Sequence, residues 1–242
     1  MKKIGITGQS GFVGCHLYQT LNLFKDEFTL IDFDRSFFEN EAELDNFVSQ
    51  CHVIVHLAAL NRHNDSEVIY EMNTSLVKKL VASLDRNQSQ AHILISSSTQ
   101  EERDNLYGKS KKEGRLMLSD WANRAGGKLT GMVIPNVFGP FGNPYYNSVV
   151  ATFCHQISHN ETPNVEVDGL LKLIYVGELV EEILKAIRRE DNTHELQIPH
   201  TSEAKVSEIL DLLQHFKYVY QEKGEVPAIN SSFEHKLFNT YR

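Results

Sequence analysis

The residue pair whose spacing most directly suggests chemistry lies in NLYGKSKKEG, residues 105–114. If this stretch is helical, Tyr107 and Lys111 lie on one face about one turn apart. A phenol has a pKa of about 10 in isolation and is a poor acid or base at neutral pH. A neighbouring ammonium lowers that pKa, which would suit the pair to proton transfer. The alternative is a solvated helix start, since Lys109 and Lys112 lie in the same turn.

Serine hydroxyls lie shortly before this pair, in ISSSTQ at residues 95–100. They end an apolar segment of the kind that forms a buried strand, and open α/β sheets bind ligands at the carboxyl ends of their strands. One of these serine hydroxyls could hold a substrate carbonyl by a hydrogen bond while Tyr107 transfers the proton. Capping of the strand end and turn formation are the alternative explanation.

A glycine-rich turn, GQSGFVG at residues 8–14, follows the first apolar segment. Its glycines would let the backbone turn tightly and approach a pyrophosphate at the N-terminus of the next helix. The spacing is GxxGxxG rather than GxGxxG, and a plain glycine turn is the alternative. The strand-turn-helix context favours a dinucleotide site.

The second apolar segment ends in LIDFDR, where a dinucleotide-binding fold places the residues that read the ribose. Asp32 or Asp34 accepting hydrogen bonds from the ribose hydroxyls would favour NAD. Arg35 could instead pair with the additional phosphate of NADP. The sequence leaves both cofactors open at this point.

Alternating apolar and amphipathic segments must position these residues. Five segments read as buried strands: KKIGIT, FTLIDF, HVIVHLA, HILISSS and LTGMVI. The intervals between them are long enough for helices, which predicts an α/β fold with a Rossmann-type doubly wound parallel sheet. After Pro135, NVFGPFGNPYYN is predicted to be a loop, whereas LIYVGELVEEILKAIRRE and VSEILDLLQHFKYVY are predicted helices with apolar residues at helical spacing.

The length of 242 residues predicts a single domain over 1–242. Its cofactor-binding core is expected at about 1–134, and a small C-terminal substrate-binding region mostly at 135–172 and 195–242.

Charge and cysteine content narrow the class of partner. The formal net charge of −8 disfavours nucleic acid, and no segment approaches the length of a membrane span. Cys15, Cys51 and Cys154 form neither a disulfide framework nor a zinc spacing, so a cytoplasmic protein is expected.

Together these motifs resemble the extended short-chain dehydrogenase/reductases that act on nucleotide sugars, and the resemblance spans nearly the whole chain. The glycine turn matches the cofactor turn of that family, and Tyr107 with Lys111 matches its YxxxK motif. HLAALN at 56–61 is similar to the segment beneath the nicotinamide, and PNVFGP at 135–140 is similar to the family's NVYGP near the substrate.

The resemblance implies roles for individual residues. Ser98, Tyr107 and Lys111 would be catalytic, with Asn73 supporting a relay water. The implied cofactor contacts are Gly8, Gly11, Phe12, Val13, Gly14, Asp32, Asp34, Arg35, Leu57, Ala58, Ala59, Tyr107, Lys111 and Pro135. The implied substrate contacts are Asn61, Arg62, Ser98, Asn136, Tyr146 and Asn147, and no metal ligand is expected.

A narrower resemblance, to the N-terminal reductase domain of CapF-type capsular polysaccharide enzymes, rests on HLAALNR, LYGKSK, YNSVVATFC and LFNTYR. It implies NADPH-dependent reduction of the C4 ketone of a UDP-4-keto-6-deoxy-N-acetyl-hexosamine, for a UDP-N-acetyl-L-fucosamine-type precursor. In those enzymes a C-terminal cupin domain epimerises C3, and this chain ends where that domain would begin. We therefore expect this chain, whether a first domain or a stand-alone reductase, not to epimerise C3 by itself.

The sequence departs from the family at several points. Val133 and Ile134 stand where relatives usually carry an arginine, and YVGE replaces the usual YVDD. Thr99 and Gln100 replace the Asp-Glu pair of sugar dehydratases, which disfavours dehydration. An NAD-dependent nucleotide-sugar 4-epimerase remains an alternative, as does a non-catalytic NADP-sensing protein, although the intact serine, tyrosine and lysine speak against the sensor.

Two further expectations concern metals and assembly. His155 and His159 lie four residues apart, but without a HExxH glutamate or a third ligand we expect a structural or surface role. The family's habit implies a homodimer, for which the helix from about 106 to 122 would be a plausible face.

Overall fold

The computed structural model describes residues 1–190 and 192–242. Its strands are β1 Lys2–Thr7, β2 Phe28–Ile31, β3 Val53–His56, β4 His92–Ser98, β5 Lys128–Ile134, β6 Asn136–Phe138, β7 Leu170–Tyr175, β8 Thr193–Gln197 and β9 Ser202–Lys205. Its α-helices are α1 Phe12–Leu21, α2 Glu41–Gln50, α3 Ser66–Arg86, α4 Leu106–Ala125, α5 Val149–Ser158, α6 Val176–Arg189, α7 Val206–Phe216 and α8 Ser232–Tyr241. Short 3-10 helices cover Arg35–Glu39 and Thr99–Glu102, and a π-helix covers Lys217–Glu222.

The main sheet contains six strands in the order β2-β1-β3-β4-β5-β8, and each neighbouring pair is parallel. The predicted doubly wound parallel sheet is therefore confirmed. The chain leaves β1 in one direction to reach β2 and in the other to reach β3, so the order reverses between β1 and β3. Doubly wound sheets bind their ligands beyond the carboxyl ends of the strands at such a reversal.

The central strands of this sheet are buried on both faces because helices cover them. Every residue of β3 is buried, as are the six residues of β5 that follow Lys128. A core cluster joins α2, α3 and α4 to β3 and β4, and it includes Phe47, Ile54, Leu80, Ile93 and Trp121. This packing fixes the positions of the strand ends and of the start of α4.

The described backbone divides into two compact units, residues 1–134 with 180–198 and residues 135–179 with 199–242. The first unit contains the six-stranded sheet. The division does not test whether both units belong to one domain, so the single domain over 1–242 stays a prediction.

The second unit contains a three-stranded sheet in the order β6-β7-β9, which the sequence did not predict. The predicted loop at NVFGPFGNPYYN is wrong for its first residues, because Asn136–Phe138 form β6 beside β7. The predicted helix at LIYVGELVEEILKAIRRE is wrong for LIY, which ends β7. Leu173 and Ile174 are buried, and a short apolar run fits a strand or a helix equally well by periodicity.

The helical assignments hold elsewhere. The apolar residues predicted to pack along α6 are buried, and α7 likewise buries Val206, Ile209, Leu213 and Phe216. α7 ends at Phe216, earlier than predicted, and a π-helical turn follows it. Among the helices of the described residues, none is long and apolar enough to cross a membrane.

The buried centre of β3 predicts a loss of stability on truncation. Ile54→Ala should lower the free energy of unfolding by about 2–5 kcal/mol, because it opens a cavity in a close-packed core. Urea titration followed by fluorescence would measure this, since Trp121 is the single tryptophan and lies in the same cluster. The exposed Lys78→Ala is the control, expected within about 0.5 kcal/mol. Equal losses in both variants would contradict the packing described here.

Candidate active site

Helix α4 begins where the sequence places the tyrosine-lysine pair. The side chain of Asn105 caps the helix by accepting a hydrogen bond from the backbone N–H of Gly108, at 2.7 Å. Tyr107 therefore lies in the first turn and Lys111 one turn later. A Cβ on Gly108 would lie 2.0 Å from the carbonyl oxygen of Gln100, so a glycine is required where α4 meets the 3-10 helix after β4.

Lys111 lies inside the protein rather than in solvent, with 7% of its surface exposed. Its Nζ donates a hydrogen bond to Ser96 Oγ at 3.4 Å, and the Ser96 hydroxyl donates to the carbonyl oxygen of His56 at 3.3 Å. Burial lowers the pKa of Lys111 to about 8, while the Glu101 carboxylate acts in the opposite direction. The alternative of a solvated lysine at this position is therefore wrong.

Asn73 on α3 connects the segment after β3 to α4. Its side chain accepts a hydrogen bond from the N–H of Leu60 at 2.7 Å and donates to the carbonyl of Leu60 at 3.0 Å. It also donates to Ser110 Oγ at 3.1 Å, and the Ser110 hydroxyl donates to the carbonyl of Tyr107 at 2.7 Å. Both amide hydrogens of Asn73 are thus donated to protein groups, whereas Oδ1 keeps a second lone pair to which a relay water could donate.

Ser98 is the last residue of β4 and caps the following 3-10 helix. Its Oγ accepts a hydrogen bond from the N–H of Gln100 at 3.2 Å. The hydroxyl proton is then left to donate to an acceptor such as a carbonyl oxygen. Capping and the predicted substrate contact are thus compatible at this residue.

A small cavity lies beside Lys111, and its walls include His56, Ala58, Ala59 and Asn73. His56 Nδ1 lies 2.7 Å from the hydroxyl of Thr7 on β1. Burial, and to a lesser degree the charge of Lys111, lowers the pKa of His56 to about 3. The imidazole is therefore neutral at physiological pH and adds no second charge to the cavity.

The segment after β3 is fixed by β1. The N–H of Leu57 donates to the carbonyl of Thr7 at 3.0 Å, and the N–H of Ala58 donates to the Thr7 hydroxyl at 3.5 Å. This pairing brings Ala58 against the glycine turn, where a Cβ on Gly8 would lie 2.8 Å from Ala58 N.

The glycine turn has the geometry of a phosphate-binding loop. Gly8 has a φ of +80°, and the N–H of Gly11 donates to its carbonyl at 3.0 Å. A Cβ on Gly14 would lie 2.1 Å from the same carbonyl. Helix α1 starts with Phe12 and Val13, and no side chain caps it, so its first N–H groups can receive a phosphate.

Gln9 ties this turn to the segment after β2. Its Nε2 donates to the carbonyl of Phe33 at 2.9 Å, while its Oε1 is buried without a hydrogen-bond partner in the protein. A buried carbonyl oxygen without a partner is unfavourable unless a ligand or water donates to it. The turn and this oxygen together fit a bound dinucleotide.

The three candidate ribose readers differ in how the protein uses them. Asp34 accepts a hydrogen bond from the N–H of Ser36 at 2.8 Å and caps the 3-10 helix that Arg35 begins. The hydrogen bonds from Ser36 lower the pKa of Asp34. Asp32 and Arg35 are exposed just after β2.

The predicted substrate contacts fall in both units. Asn61 and Arg62 follow β3 in the first unit. In the second, Asn136 on β6 donates to the carbonyl of Lys172 at 3.2 Å. The other predicted substrate contacts of the second unit are the half-buried Tyr146 and the exposed Asn147, and the predicted cofactor contact Pro135 is buried there.

The two histidines of α5 stack on each other. The ring centroids of His155 and His159 are 4.0 Å apart, and Tyr145 packs edge-on against His155. Over residues 1–190 and 192–242, no group of three His, Cys, Asp or Glu side chains is arranged to hold a metal ion.

Sequence reasoning missed Ser96, Glu101 and Arg115. Alternation along β4 could have identified Ser96, because residues two apart in a strand lie on one face and Ser98 was already a candidate. Arg115 lies 14 residues from Glu101 and 79 residues from His194, so no local pattern pointed to these contacts.

With this geometry in place, comparison with known proteins identifies the family. The description NAD dependent epimerase/dehydratase family matches residues 4–198. The chain belongs to this family. The predicted resemblance to extended short-chain dehydrogenase/reductases is thereby confirmed, together with the class of NAD(P)-dependent enzymes.

Two individual relatives have names that are more specific than the family description. The chain is 28% identical over 241 residues to the UDP-2-acetamido-2,6-beta-L-arabino-hexul-4-ose reductase of Pseudomonas aeruginosa, covering 99% of this chain and 64% of that protein. It is similar to the crystal structure of the capsular polysaccharide assembling protein CapF from Staphylococcus aureus, with a TM-score of 0.83, 33% identity and coverage of 99% and 64%. The chain thus spans slightly less than two thirds of both relatives.

A third structure supports the fold alone. RMD from Pseudomonas aeruginosa, solved in complex with NADPH, has a TM-score of 0.84 at 18% identity and covers 100% of this chain and 98% of that one.

The close approach at the glycine turn predicts a defect in nucleotide binding. Gly14→Ala should weaken the binding of NADPH and of NADH at least about tenfold, about 1.4 kcal/mol, because the added Cβ forces the turn open. Calorimetric titration with each nucleotide would measure this. Gly169→Ala is the matched control, since a Cβ there meets open space. Unchanged affinity in Gly14→Ala would contradict a nucleotide site at this turn.

Proposed function

We propose that this chain reduces the C4 ketone of a UDP-4-keto-6-deoxy-N-acetyl-hexosamine with NADPH, as a step toward a capsule or O-antigen precursor of the UDP-N-acetyl-L-fucosamine type. The observation that carries the proposal is the buried Lys111 one helical turn after Tyr107, with Ser98 in the same unit. The names of the Pseudomonas aeruginosa and Staphylococcus aureus relatives support the choice of substrate class.

The proposed chemistry divides between the bound nicotinamide and the side chains. When bound, the cofactor supplies the hydride that reduces the carbonyl carbon. Tyr107 donates its phenolic proton to the carbonyl oxygen, which balances the hydride and gives an alcohol. Ser98 donates a hydrogen bond to the same oxygen and orients it. The charged Lys111 would hold the cofactor ribose and favour loss of the phenolic proton from its neighbour Tyr107.

The residues around the glycine turn would hold the cofactor. The N–H groups at the start of α1 would receive the pyrophosphate, and Gly8 and Gly14 would let it approach the backbone. Ala58 and Ala59 would lie beneath the nicotinamide.

We favour NADP(H) over NAD(H) because of the residues after β2. Arg35 is exposed directly after Asp34, and a guanidinium is suited to pair with the additional phosphate of NADP. Asp32 is the residue that would favour NAD if it reads the ribose.

The proposed setting follows the relatives. We place the reaction in the cytoplasm and expect a homodimer. As the resemblance to CapF-type enzymes implies, we assign inversion at C3 to a cupin epimerase, supplied separately or by a further domain.

Removing the phenolic proton tests the reaction. Tyr107→Phe should lower turnover at least about a thousandfold, because proton donation to the developing alkoxide is lost, with cofactor affinity nearly unchanged. The assay follows NADPH absorbance with enzymatically made UDP-4-keto-6-deoxy-N-acetyl-hexosamine, with and without a cupin epimerase. Tyr70→Phe is the control, because its hydroxyl donates to Glu113 away from the cavity. Retained turnover in Tyr107→Phe would contradict the role of Tyr107 as proton donor. Interconversion of sugars without net oxidation of NADPH would indicate a 4-epimerase.

The cofactor preference has a separate test. Arg35→Ala should raise the KM for NADPH about tenfold and leave the KM for NADH nearly unchanged, because only NADPH carries the additional phosphate. Steady-state kinetics with both nucleotides would decide. Arg124→Ala, near the end of α4 and paired with Asp85, is the control. A parent enzyme that prefers NADH would overturn the choice of NADP(H) and point to Asp32.

A further inference from the structure

A buried ion pair lies beside the proposed catalytic residues. The Arg115 guanidinium donates to both oxygens of Glu101, from Nε at 3.0 Å and from Nη2 at 2.6 Å. The two side chains are 6% and 7% exposed. Glu101 also accepts a hydrogen bond from the Ser97 hydroxyl. Such a pair is favourable in the interior only when its geometry and its other hydrogen bonds are satisfied, as they are here.

Arg115 joins three segments of the first unit. Beyond Glu101 on the 3-10 helix, it donates through Nη1 to the carbonyl of His194 on β8 at 3.1 Å and contacts Glu195 at 3.1 Å. Its stem crosses Gly131 on β5, where a Cβ would lie 2.6 Å from Arg115 Cδ. The ion pair therefore holds the end of β4 against α4.

Glu101 and Arg115 both lie close in sequence to proposed catalytic residues. Glu101 follows Ser98 by three residues, and Arg115 follows Lys111 by one helical turn. The segment that carries the serine and the helix that carries the tyrosine and lysine are thus joined by this contact.

The charges along this line alternate in sign. They run from Lys111 through Glu101 and Arg115 to Glu195, which is 55% exposed at its side chain. Burial would raise the pKa of Glu101, but the hydrogen bonds from Arg115 and Ser97 outweigh it and lower that pKa, so the carboxylate is charged at neutral pH. A negative charge near the buried lysine favours its protonated form.

We propose that Glu101 and Arg115 are a positioning pair, which sets Ser98 against Tyr107 and keeps the Lys111 ammonium charged in the closed interior. As a statement about the reductase, this inference rests on the proposed function. The titratable or charged groups around Lys111 are the neutral His56 from β3, Tyr107 and Arg115 from α4, and Glu101 from the 3-10 helix.

The test measures Lys111 itself, without need of activity. The Cε resonance of Lys111, assigned in ¹³C-lysine protein by its loss in Lys111→Arg, gives the titration midpoint. Glu101→Gln keeps the shape and removes the charge, so the midpoint should fall by at least about half a pH unit. The high-pH limb of kcat/KM for NADPH-dependent reduction should also shift to lower pH, because the proposed reaction needs both Tyr107 and Lys111 in their protonated forms. Glu101→Asp should restore the parent midpoint.

A second carboxylate–guanidinium pair, which is more exposed and also includes a serine hydroxyl, supplies the control. Asp45 accepts two hydrogen bonds from Arg86 and one from the Ser83 hydroxyl, on α2 and α3. Asp45→Asn should lower thermal stability without moving the Lys111 midpoint. If Glu101→Gln does not fold, Glu101→Gln with Arg115→Gln leaves no lone buried charge and should lower the midpoint as well.

The outcomes separate the two proposals. A Lys111 midpoint in Glu101→Gln equal to that of the parent overturns the positioning pair, whether or not the parent is a reductase. A lowered midpoint in a parent without reductase activity retains the positioning pair and overturns the proposed function. A drop of the same size in Asp45→Asn would show a general loss of structure and would also overturn the inference.

Discussion

The burial of one ammonium group constrains the arrangement of the whole first unit. A charged lysine inside a protein is unfavourable unless polar groups surround it, and here burial already lowers the pKa of Lys111 to about 8. The Ser96 hydroxyl on β4 receives its hydrogen bond, and the Glu101 carboxylate adds a compensating charge. Burial also lowers the pKa of His56, and its imidazole therefore stays neutral. The ends of β3 and β4 and the start of α4 must therefore lie where they do for Lys111 to remain charged.

Local patterns in the sequence predicted the parts of the site whose geometry is local. A four-residue spacing within one helix placed Tyr107 and Lys111, and a strand-turn-helix context placed the glycine turn. The parallel sheet followed from five apolar segments with helix-length intervals. These predictions succeed because each depends on one element or on the junction of two.

The features that the sequence did not predict depend on contacts between distant residues. Arg115 meets the carbonyl of His194 far along the chain, and Asn73 binds both a loop and a second helix. The helix and strand periodicity of the sequence carries no information about contacts between such distant residues. The second sheet was missed for another reason: LIY precedes an amphipathic helix directly, and only tertiary packing decides that a run this short is a strand.

Aspartate, asparagine and serine side chains can either cap a helix or bind a ligand, so the sequence alone did not decide between the two roles. Asp34 and Asn105 both cap helices with their side chains, and Ser98 accepts one capping hydrogen bond while keeping its proton. A carboxylate can only accept hydrogen bonds, whereas a hydroxyl can accept and donate at once. Ser98 can therefore serve the turn and a substrate together. Asp34 likewise accepts a capping hydrogen bond from the backbone N–H of Ser36, and its carboxylate has further lone pairs for a donor of a ligand.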